Sequence, residues 1–420
     1  MKIKYVKRKS YGLLLCAFIS FGICSPELAR QENVEKSMNN TSSTKKKILI
    51  LTSFGGGGNL EASKALESYL RNDYTIELCS IFKDILYPLD PFSLLTANHY
   101  SGEEFYNLFV SSKHFSFLGW LYSCGVWYIQ AQKANIHSLF KKYLMQNKPD
   151  VIISVVPIVN NIILTVSEEL NIPFLLIPTD LDINPYIINI NNPTYTKFHI
   201  GLIFDDQEII KPLKRSSIRN FNIIGAPLRP DFFSTKDKSL RKEHGIEQNK
   251  LVIMILMGSH GSYDTEKYVG QLLKLTEPAH IFACIGKNEQ SRKNLSQLKI
   301  PPHISLSIIG FTNKIADYMA MSDILISKSG TLSVCEALYM NLPILLDATS
   351  TALPWEKFNH HFIKKHHFGD CIKRYEDIIP LIGDLKANNL INRYKNNIKQ
   401  QEKKLCPTEI KRVIERIVKQ

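Results

Sequence analysis

Apolar positions alternate between two patterns along most of the chain. Ile48–Thr52 is a short apolar run bounded by glycines, the mark of a buried strand. After the glycine-rich loop Ser53–Gly58, Asn59–Leu70 carries Leu60, Ala62, Ala65, Leu66 and Tyr69 at helical spacing. The alternation continues with strands expected at Val151–Val156, Phe174–Pro178, Phe198–Ile203 and Asn222–Ile224, and helices at Asn160–Leu170 and Asp206–Leu213. A second series follows Pro230. It has strands at Leu251–Met257, His280–Ile285, Ile304–Ile309, Asp323–Ser327 and Pro343–Leu346, with helices from about Thr265 to Leu275, at Ile315–Met321 and at Val334–Tyr339.

Strands alternating with helices predict parallel sheets. Two series, each opening on a glycine loop, predict an α/β fold of two doubly wound, Rossmann-like domains facing across a cleft. Ligands of such sheets bind at the carboxyl ends of the strands. The expected division is a signal-like or anchor segment with a polar linker over 1–45, an N-terminal domain over 46–228, a C-terminal domain over 229–385, and a basic helical segment over 386–420. Residues 91–146 interrupt the pattern with aromatic residues, among them Phe92, Tyr100, Phe105, Trp120, Tyr122, Trp127 and Tyr128. They suit either a lipid-facing surface or ordinary core packing.

Composition narrows the picture. With 420 residues, 44% hydrophobic and 22% charged, the chain can bury a large core and is not a disordered tail. The net charge of +13 is carried by the ends. Residues 1–47 hold ten Lys/Arg against three Glu, residues 393–420 nine against three, and the body between is neutral. That argues against nucleic acid as a partner and fits an anionic membrane surface. Lys2–Lys9, the apolar stretch Tyr11–Cys24 and the following Ser25-Pro26 have the layout of a secretory signal, too short to span a bilayer comfortably. Eight cysteines show neither CxxC spacing nor a zinc-like cluster with histidine.

Three segments carry candidate chemistry. In Phe54-Gly55-Gly56-Gly57-Gly58-Asn59, residues without Cβ let backbone N–H groups approach a ligand at a helix start, although a plain tight turn has the same composition. Met257-Gly258-Ser259-His260-Gly261 follows a strand and suits a diphosphate. Lys328-Ser329-Gly330-Thr331-Leu332-Ser333 opens a helix with small hydroxyl residues beside a cation, which favours phosphate; Glu336 stands one to two turns in, where it could accept from ribose hydroxyls. N-capping accounts equally for the two serines.

These segments, in this order, resemble glycosyltransferase family 28, which has the GT-B fold and includes monogalactosyldiacylglycerol synthases and processive diacylglycerol glucosyltransferases. The resemblance covers about residues 46–385. Lys148-Pro149-Asp150-Val151-Ile152-Ile153-Ser154 is similar to the family's KPDxIIS strand, and Pro178-Thr179-Asp180 to its Thr-Asp step. Ile224-Gly225-Ala226-Pro227-Leu228-Arg229-Pro230 is close to its GxPxRP hinge. Gly286-Lys287-Asn288, Gly310-Phe311 and Lys328–Glu336 follow in its order and spacing.

The resemblance implies an inverting transferase that moves a hexose from a UDP-sugar to a membrane lipid such as diacylglycerol, without a metal or other cofactor. It implies that Gly310, Phe311 and Thr312 hold the uracil edge, that Glu336 binds the ribose, and that Gly258, Ser259, Gly261 and Ser329, Gly330, Thr331, Leu332 and Ser333 take the diphosphate beside Lys328. Trp355 and Glu356 would meet the sugar, and Gly56, Gly57 and Gly58 would face the acceptor. It also implies work at a membrane, on the cytoplasmic face where UDP-sugars are made; the signal-like start leaves export open. The chain departs from the family at instructive places. Asn59 stands where the family has a histidine base, and an amide does not titrate near neutral pH. Asp180 is the next candidate base, then His260. Pro354-Trp355-Glu356 replaces Gly-Gln-Glu. Two further readings follow: a member that binds nucleotide or lipid without transfer, and a transferase for another lipid-linked acceptor, towards which the Ser-Gly-x-Leu-Ser-Val-x-Glu pattern leans.

Overall fold

The computed structural model describes residues 45–419, apart from 56, 97–99, 112–114, 235–238, 259–261 and 351–354. The signal-like segment, Gly56, Ser259, His260, Gly261 and Pro354 therefore lie outside the described residues.

Two six-stranded, wholly parallel sheets form the frame. The first comprises β1 (Lys47–Thr52), β2 (Thr75–Ser80), β3 (Val151–Ser154), β4 (Phe174–Leu176), β5 (Phe198–Leu202) and β6 (Phe221–Ile223) in the order β2-β1-β3-β4-β5-β6. The second comprises β7 (Leu251–Leu256), β8 (Ala279–Gly286), β9 (Ile304–Gly310), β10 (Ile324–Ser327), β11 (Ile344–Asp347) and β12 (Gly369–Ile372) in the order β12-β11-β10-β7-β8-β9. The central strands are continuous apolar runs because helices cover both faces; Ile48, Leu49, Ile50 and Leu51 are all fully buried.

The helices that matter for the site are α1 (Gly58–Leu70), α2 (Gly102–Ser111), α3 (Phe115–Ala131), α4 (Lys133–Asn147), α5 (Gln207–Arg215), α6 (Thr331–Tyr339), α7 (Lys357–Lys365) and α8 (Cys406–Lys419). The aromatic interruption forms α2, α3 and α4, inserted between β2 and β3. No charged residue occurs along the 17 residues of α3. Among the described residues, no helix is long and apolar enough to cross a membrane.

The strand order reverses beside β1 in the first sheet and beside β7 in the second. In sheets of this kind the carboxyl edge at such a reversal is the usual seat of a ligand. The ends of β7 and β10 are held level, with Ser327 opposite Leu256 and the Ser327 hydroxyl donating to the Leu256 carbonyl at 2.8 Å.

The halves share a core. Phe204 of the first half and Phe362 of the second stack with centroids 5.7 Å apart. The connection at Gly225 runs with φ +85°, and a Cβ there would strike the Lys404 carbonyl and the Tyr339 hydroxyl, so the close crossing needs glycine. After the second sheet the chain returns: Cys406, Ile410, Val413, Ile414 and Ile417 of α8 lie in the same buried cluster as Ile48, Ile50, Leu66 and Val151.

Candidate active site

On the first-sheet side, β1 feeds the glycine loop and then α1, whose N-cap is Gly57. Asn59 in the first turn meets Thr179 beyond β4, with the Asn59 side-chain oxygen 2.7 Å from Thr179 Oγ1. Thr179 Oγ1 is also 2.7 Å from the Tyr186 hydroxyl, which donates to Asp180 Oδ2 at 2.9 Å. Three contacts must share two hydroxyl protons. All are satisfied when the Asn59 amide presents its NH2 group to Thr179, Thr179 donates to Tyr186, and Tyr186 donates to Asp180. The second Asp180 oxygen accepts from the Thr331 hydroxyl, across the cleft, at 3.0 Å. Burial pushes the Asp180 carboxyl above its ordinary value, the hydrogen bonds from Tyr186 and Thr331 pull it back, and nearby Asp182 adds to the rise.

The glycine loop has an occupant of its own. Glu103 of α2 accepts from the Phe54 N–H at 2.8 Å, and Asn107 donates to the Phe54 carbonyl at 3.0 Å. Burial raises the Glu103 carboxyl, opposed by hydrogen bonds from Ser53 and from the Phe54 and Gly55 N–H groups. The sequence reading leaves these amides to a ligand; that of Phe54 is instead met by the Glu103 carboxylate, and that of Gly55 donates to the Ser53 hydroxyl at 3.0 Å.

On the second-sheet side, Gly258 follows β7 with φ +93°, and a Cβ there would crowd the end of the Lys328 side chain. Lys328, exposed after β10, thus lies across the switch point. The N-cap of α6 is Gly330, which makes no side-chain capping bond, so among the described residues the first N–H groups of the helix at Gly330–Ser333 are not met by a capping side chain. The capping roles considered for Ser329 and Ser333 are therefore not taken up. Ser329 is buried, and its hydroxyl pairs with Nε2 of His360 on α7. Asn359, also on α7 and fully buried, donates to the Ser329 carbonyl at 2.7 Å and to Thr331 Oγ1 at 2.9 Å. One hydrogen-bonded series thus runs from Asn359 through Thr331, Asp180, Tyr186 and Thr179 to Asn59, spanning both halves. Leu332 packs against the core.

Glu336 lies deeper along α6. Burial lifts its carboxyl to about 7; Arg229 of the connecting segment opposes the rise and Glu61 of α1 adds to it. The Arg229 guanidinium also reaches the Asn313 carbonyl at 3.5 Å, which ties the loop after β9 to the same region. In that loop Phe311 is 60% exposed, with the Lys287 ammonium 5.2 Å from its ring centre, and Thr312 accepts from the Lys314 N–H at 3.1 Å. Gly310 leaves room for Arg292. Trp355 and Glu356 lead into α7, and the Trp355 ring meets Tyr122 of α3.

Sequence reasoning overlooks Tyr186, Tyr122, Glu103, Arg229, Asn359 and His360 as site residues. Only Asn359 and His360 leave a sequence trace, three and four residues beyond Glu356 on what becomes one helix.

Residues 252–351 match the glycosyltransferase family 28 C-terminal domain. This segment is a family 28 domain. The family 28 domain holds Gly258, the β9 loop and α6, the parts that the sequence assigned to a donor. A processive diacylglycerol beta-glucosyltransferase of Bacillus pumilus (strain SAFR-032) is 26% identical over 245 residues, 57% of this chain and 61% of that protein. The Bacillus subtilis (strain 168) protein of the same name is 24% identical over 261 residues, 60% of this chain and 65% of that protein. The chloroplastic monogalactosyldiacylglycerol synthase of Spinacia oleracea is 26% identical over 268 residues, covering 59% and 49%. The matched part thus spans about three fifths of the Bacillus relatives and half of the spinach protein. Among solved structures, Acinetobacter baumannii MurG aligns with TM-score 0.61 at 13% identity, over 89% of this chain and 99% of that one. A UDP-glucosyltransferase from Polygonum tinctorium aligns with TM-score 0.57 at 11% identity, over 90% and 100%. The two facing parallel sheets are the GT-B fold.

Proposed function

We propose that this protein is an inverting glycosyltransferase that moves a hexose from a UDP-sugar to the hydroxyl of a membrane lipid, with diacylglycerol as acceptor. The family 28 domain and the lipid glycosyltransferases among its relatives support the reaction class. The observation that carries the mechanism is Asp180, hydrogen-bonded from both halves between the start of α6 and the acceptor-side loop.

The residues divide the work. Phe311 and Thr312 flank the base, Glu336 accepts from the ribose, and Lys328 with the open N–H groups of α6 holds the diphosphate. As the acceptor oxygen attacks the anomeric carbon from the opposite side, Asp180 takes its proton. Charge building on the departing UDP meets the helix start and the Lys328 ammonium. Tyr186 and Thr331 keep Asp180 aimed and limit how far burial raises it. The apolar α3, with Trp127 58% exposed, supplies a surface for the lipid and its membrane. The two basic ends add attraction to anionic headgroups. The first half takes the lipid and the second the nucleotide sugar.

The deciding experiment offers UDP-[14C]hexoses to the purified full chain with vesicles containing diacylglycerol, and follows label into lipid. Transfer supports the reading. A second reading, binding without transfer, has its own observation: Asn59 replaces a titratable base and both Asp180 oxygens are already engaged. UDP binding by calorimetry with no labelled product from diacylglycerol would favour it, unless a different lipid-linked acceptor is turned over.

A further inference from the structure

We propose that Tyr69 and Tyr339 are positioning residues that set the angle between the two halves, each locking the far end of a site helix onto the chain segments that join them. This rests on the transfer reading above and names residues outside the site on which its alignment depends.

The chain crosses between the halves after β6, in the segment that begins at Gly225, and returns through 401–405 into α8. Both crossings meet the end of α6. The hydroxyl of Tyr339, the last residue of that helix, accepts from the Ala226 N–H at 3.1 Å and donates to the Lys404 carbonyl at 2.6 Å. The Lys403 ammonium donates to the Leu338 carbonyl at 3.2 Å and to the Asn341 side-chain oxygen at 2.9 Å, so the returning segment is held to α6 more than once. From the first half, α1 reaches the same place: the buried hydroxyl of Tyr69, its penultimate residue, donates to the Leu228 carbonyl. Phe233 of the first crossing lies between the two tyrosines, edge-on to each, with centroids 6.3 Å from Tyr69 and 5.5 Å from Tyr339. Burial pushes both phenols up, so they stay neutral and keep the protons that these bonds need.

Both helices begin at the site, α1 beside Asn59 and α6 at Thr331, whose hydroxyl meets Asp180. Each is a stiff rod from site to joint. At roughly 1.5 Å per residue α1 spans about 20 Å, so a tilt of about 5° at the joint moves its start by roughly 2 Å. That exceeds the slack of a hydrogen bond such as the one from Thr331 to Asp180. Phenylalanine at either position would keep the ring packing and remove the pin. The Ala226 N–H and the Lys404 carbonyl would lose this partner in one case, the Leu228 carbonyl in the other. In the transfer reading the second half alone holds the nucleotide, whereas aligning acceptor, base and anomeric carbon needs both halves. Loss of a pin therefore slows transfer and spares nucleotide binding.

The test uses Tyr69→Phe and Tyr339→Phe in the full chain, with kcat expressed per UDP-binding site counted by calorimetry, so that a lower folded fraction does not enter. Each variant should lose roughly ten- to a hundredfold in kcat, with UDP affinity and the KM for the UDP-sugar within about twofold of wild type. The double variant should lose little more than the worse single one, because both hold one joint. Hydrogen exchange supplies a readout without turnover. UDP at the start of α6 should slow exchange over 401–405 in the wild type, and Tyr339→Phe should abolish that remote effect while UDP still slows exchange at Gly330–Ser333. Should Tyr339→Phe not fold, the kinetics of Tyr69→Phe and the wild-type exchange carry the test. The proposal is overturned by wild-type kcat in the folded variants, by equal losses of kcat and UDP affinity, or by no effect of bound UDP over 401–405 in the wild type. A wild type that binds UDP but transfers no hexose would overturn the transfer reading alone, and exchange over 401–405 would then decide this proposal. Failure of UDP to bind the wild type would overturn both.

Discussion

Asp180 is held between opposing influences. Burial favours its neutral form, and hydrogen bonds from Tyr186 and Thr331 favour the ionised form that a base requires. Replacing it with asparagine removes the proton acceptor and little else. Asp180→Asn should lower transfer on the order of 10²–10⁴-fold with UDP affinity kept, while Asn59→Ala should cost less. Steady-state rates with calorimetry check both halves of the statement. Glu336 is the second residue under tension. Its carboxyl, lifted to about 7 chiefly by burial, is favoured as the neutral acid relative to the unfolded chain. Its contribution to stability is therefore present below the unfolded value and lost as pH rises through about 7. Glu336→Gln should raise the melting temperature at pH 8 and leave it nearly unchanged at pH 5. If the ionised carboxylate accepts from ribose, wild-type UDP affinity should grow as pH rises through about 7 and the Gln variant should flatten that slope. What could be read at this scale from sequence alone was local. Lys328–Glu336 and Thr179-Asp180 are short runs whose spacing already implies a strand end and a helix start. Tyr186, Tyr122 and Glu103 reach the site only through tertiary contacts, and nothing near them in sequence signals it.

The elements differ in how openly they declare themselves. Central strands such as Ile48–Thr52 and Leu251–Met257 were legible because burial on both faces demands unbroken apolar runs. The strands β2 and β12 were not: each lies at the edge of its sheet, and Thr75–Ser80 and Gly369–Ile372 contain polar residues that an edge tolerates. The helices α2–α4 were hidden because α3 is apolar nearly all round, which removes the 3.6-residue period. Where α5 and α7 meet, charge does the joining. Asp206 caps α5 through the N–H groups of Glu208 and Ile209, and receives His366 at 3.0 Å and Lys365 at 3.7 Å from the other half. Burial alone would raise its carboxyl, but the Glu208 N–H, Lys365 and His366 together bring it below its ordinary value. The stability it gives is present above the unfolded value and lost as pH falls. Asp206→Ala should destabilise by about 1–2 kcal/mol in urea unfolding at pH 7, and the gap to wild type should narrow toward pH 3.

For the whole molecule, the last helix matters as much as the first strand. Ile414 is fully buried against the first sheet's cluster, so Ile414→Ala should cost about 2–5 kcal/mol in thermal or urea unfolding. The basic ends make a separate prediction. Removing residues 1–44 should weaken binding to anionic vesicles in co-sedimentation, and added salt should weaken what remains; equal binding of the truncated chain to neutral and anionic vesicles would remove charge from the account. The return of α8 to the first half also sets an order of events during synthesis. The sheet that is made first is finished after the second, because five of its apolar partners come from α8, which follows β12. Until α8 has been made, the apolar residues that it covers in the first half lack their partners, and a nascent chain in that state is a natural client for a holding chaperone. Premature termination anywhere after the second sheet would therefore damage the half that was translated earliest.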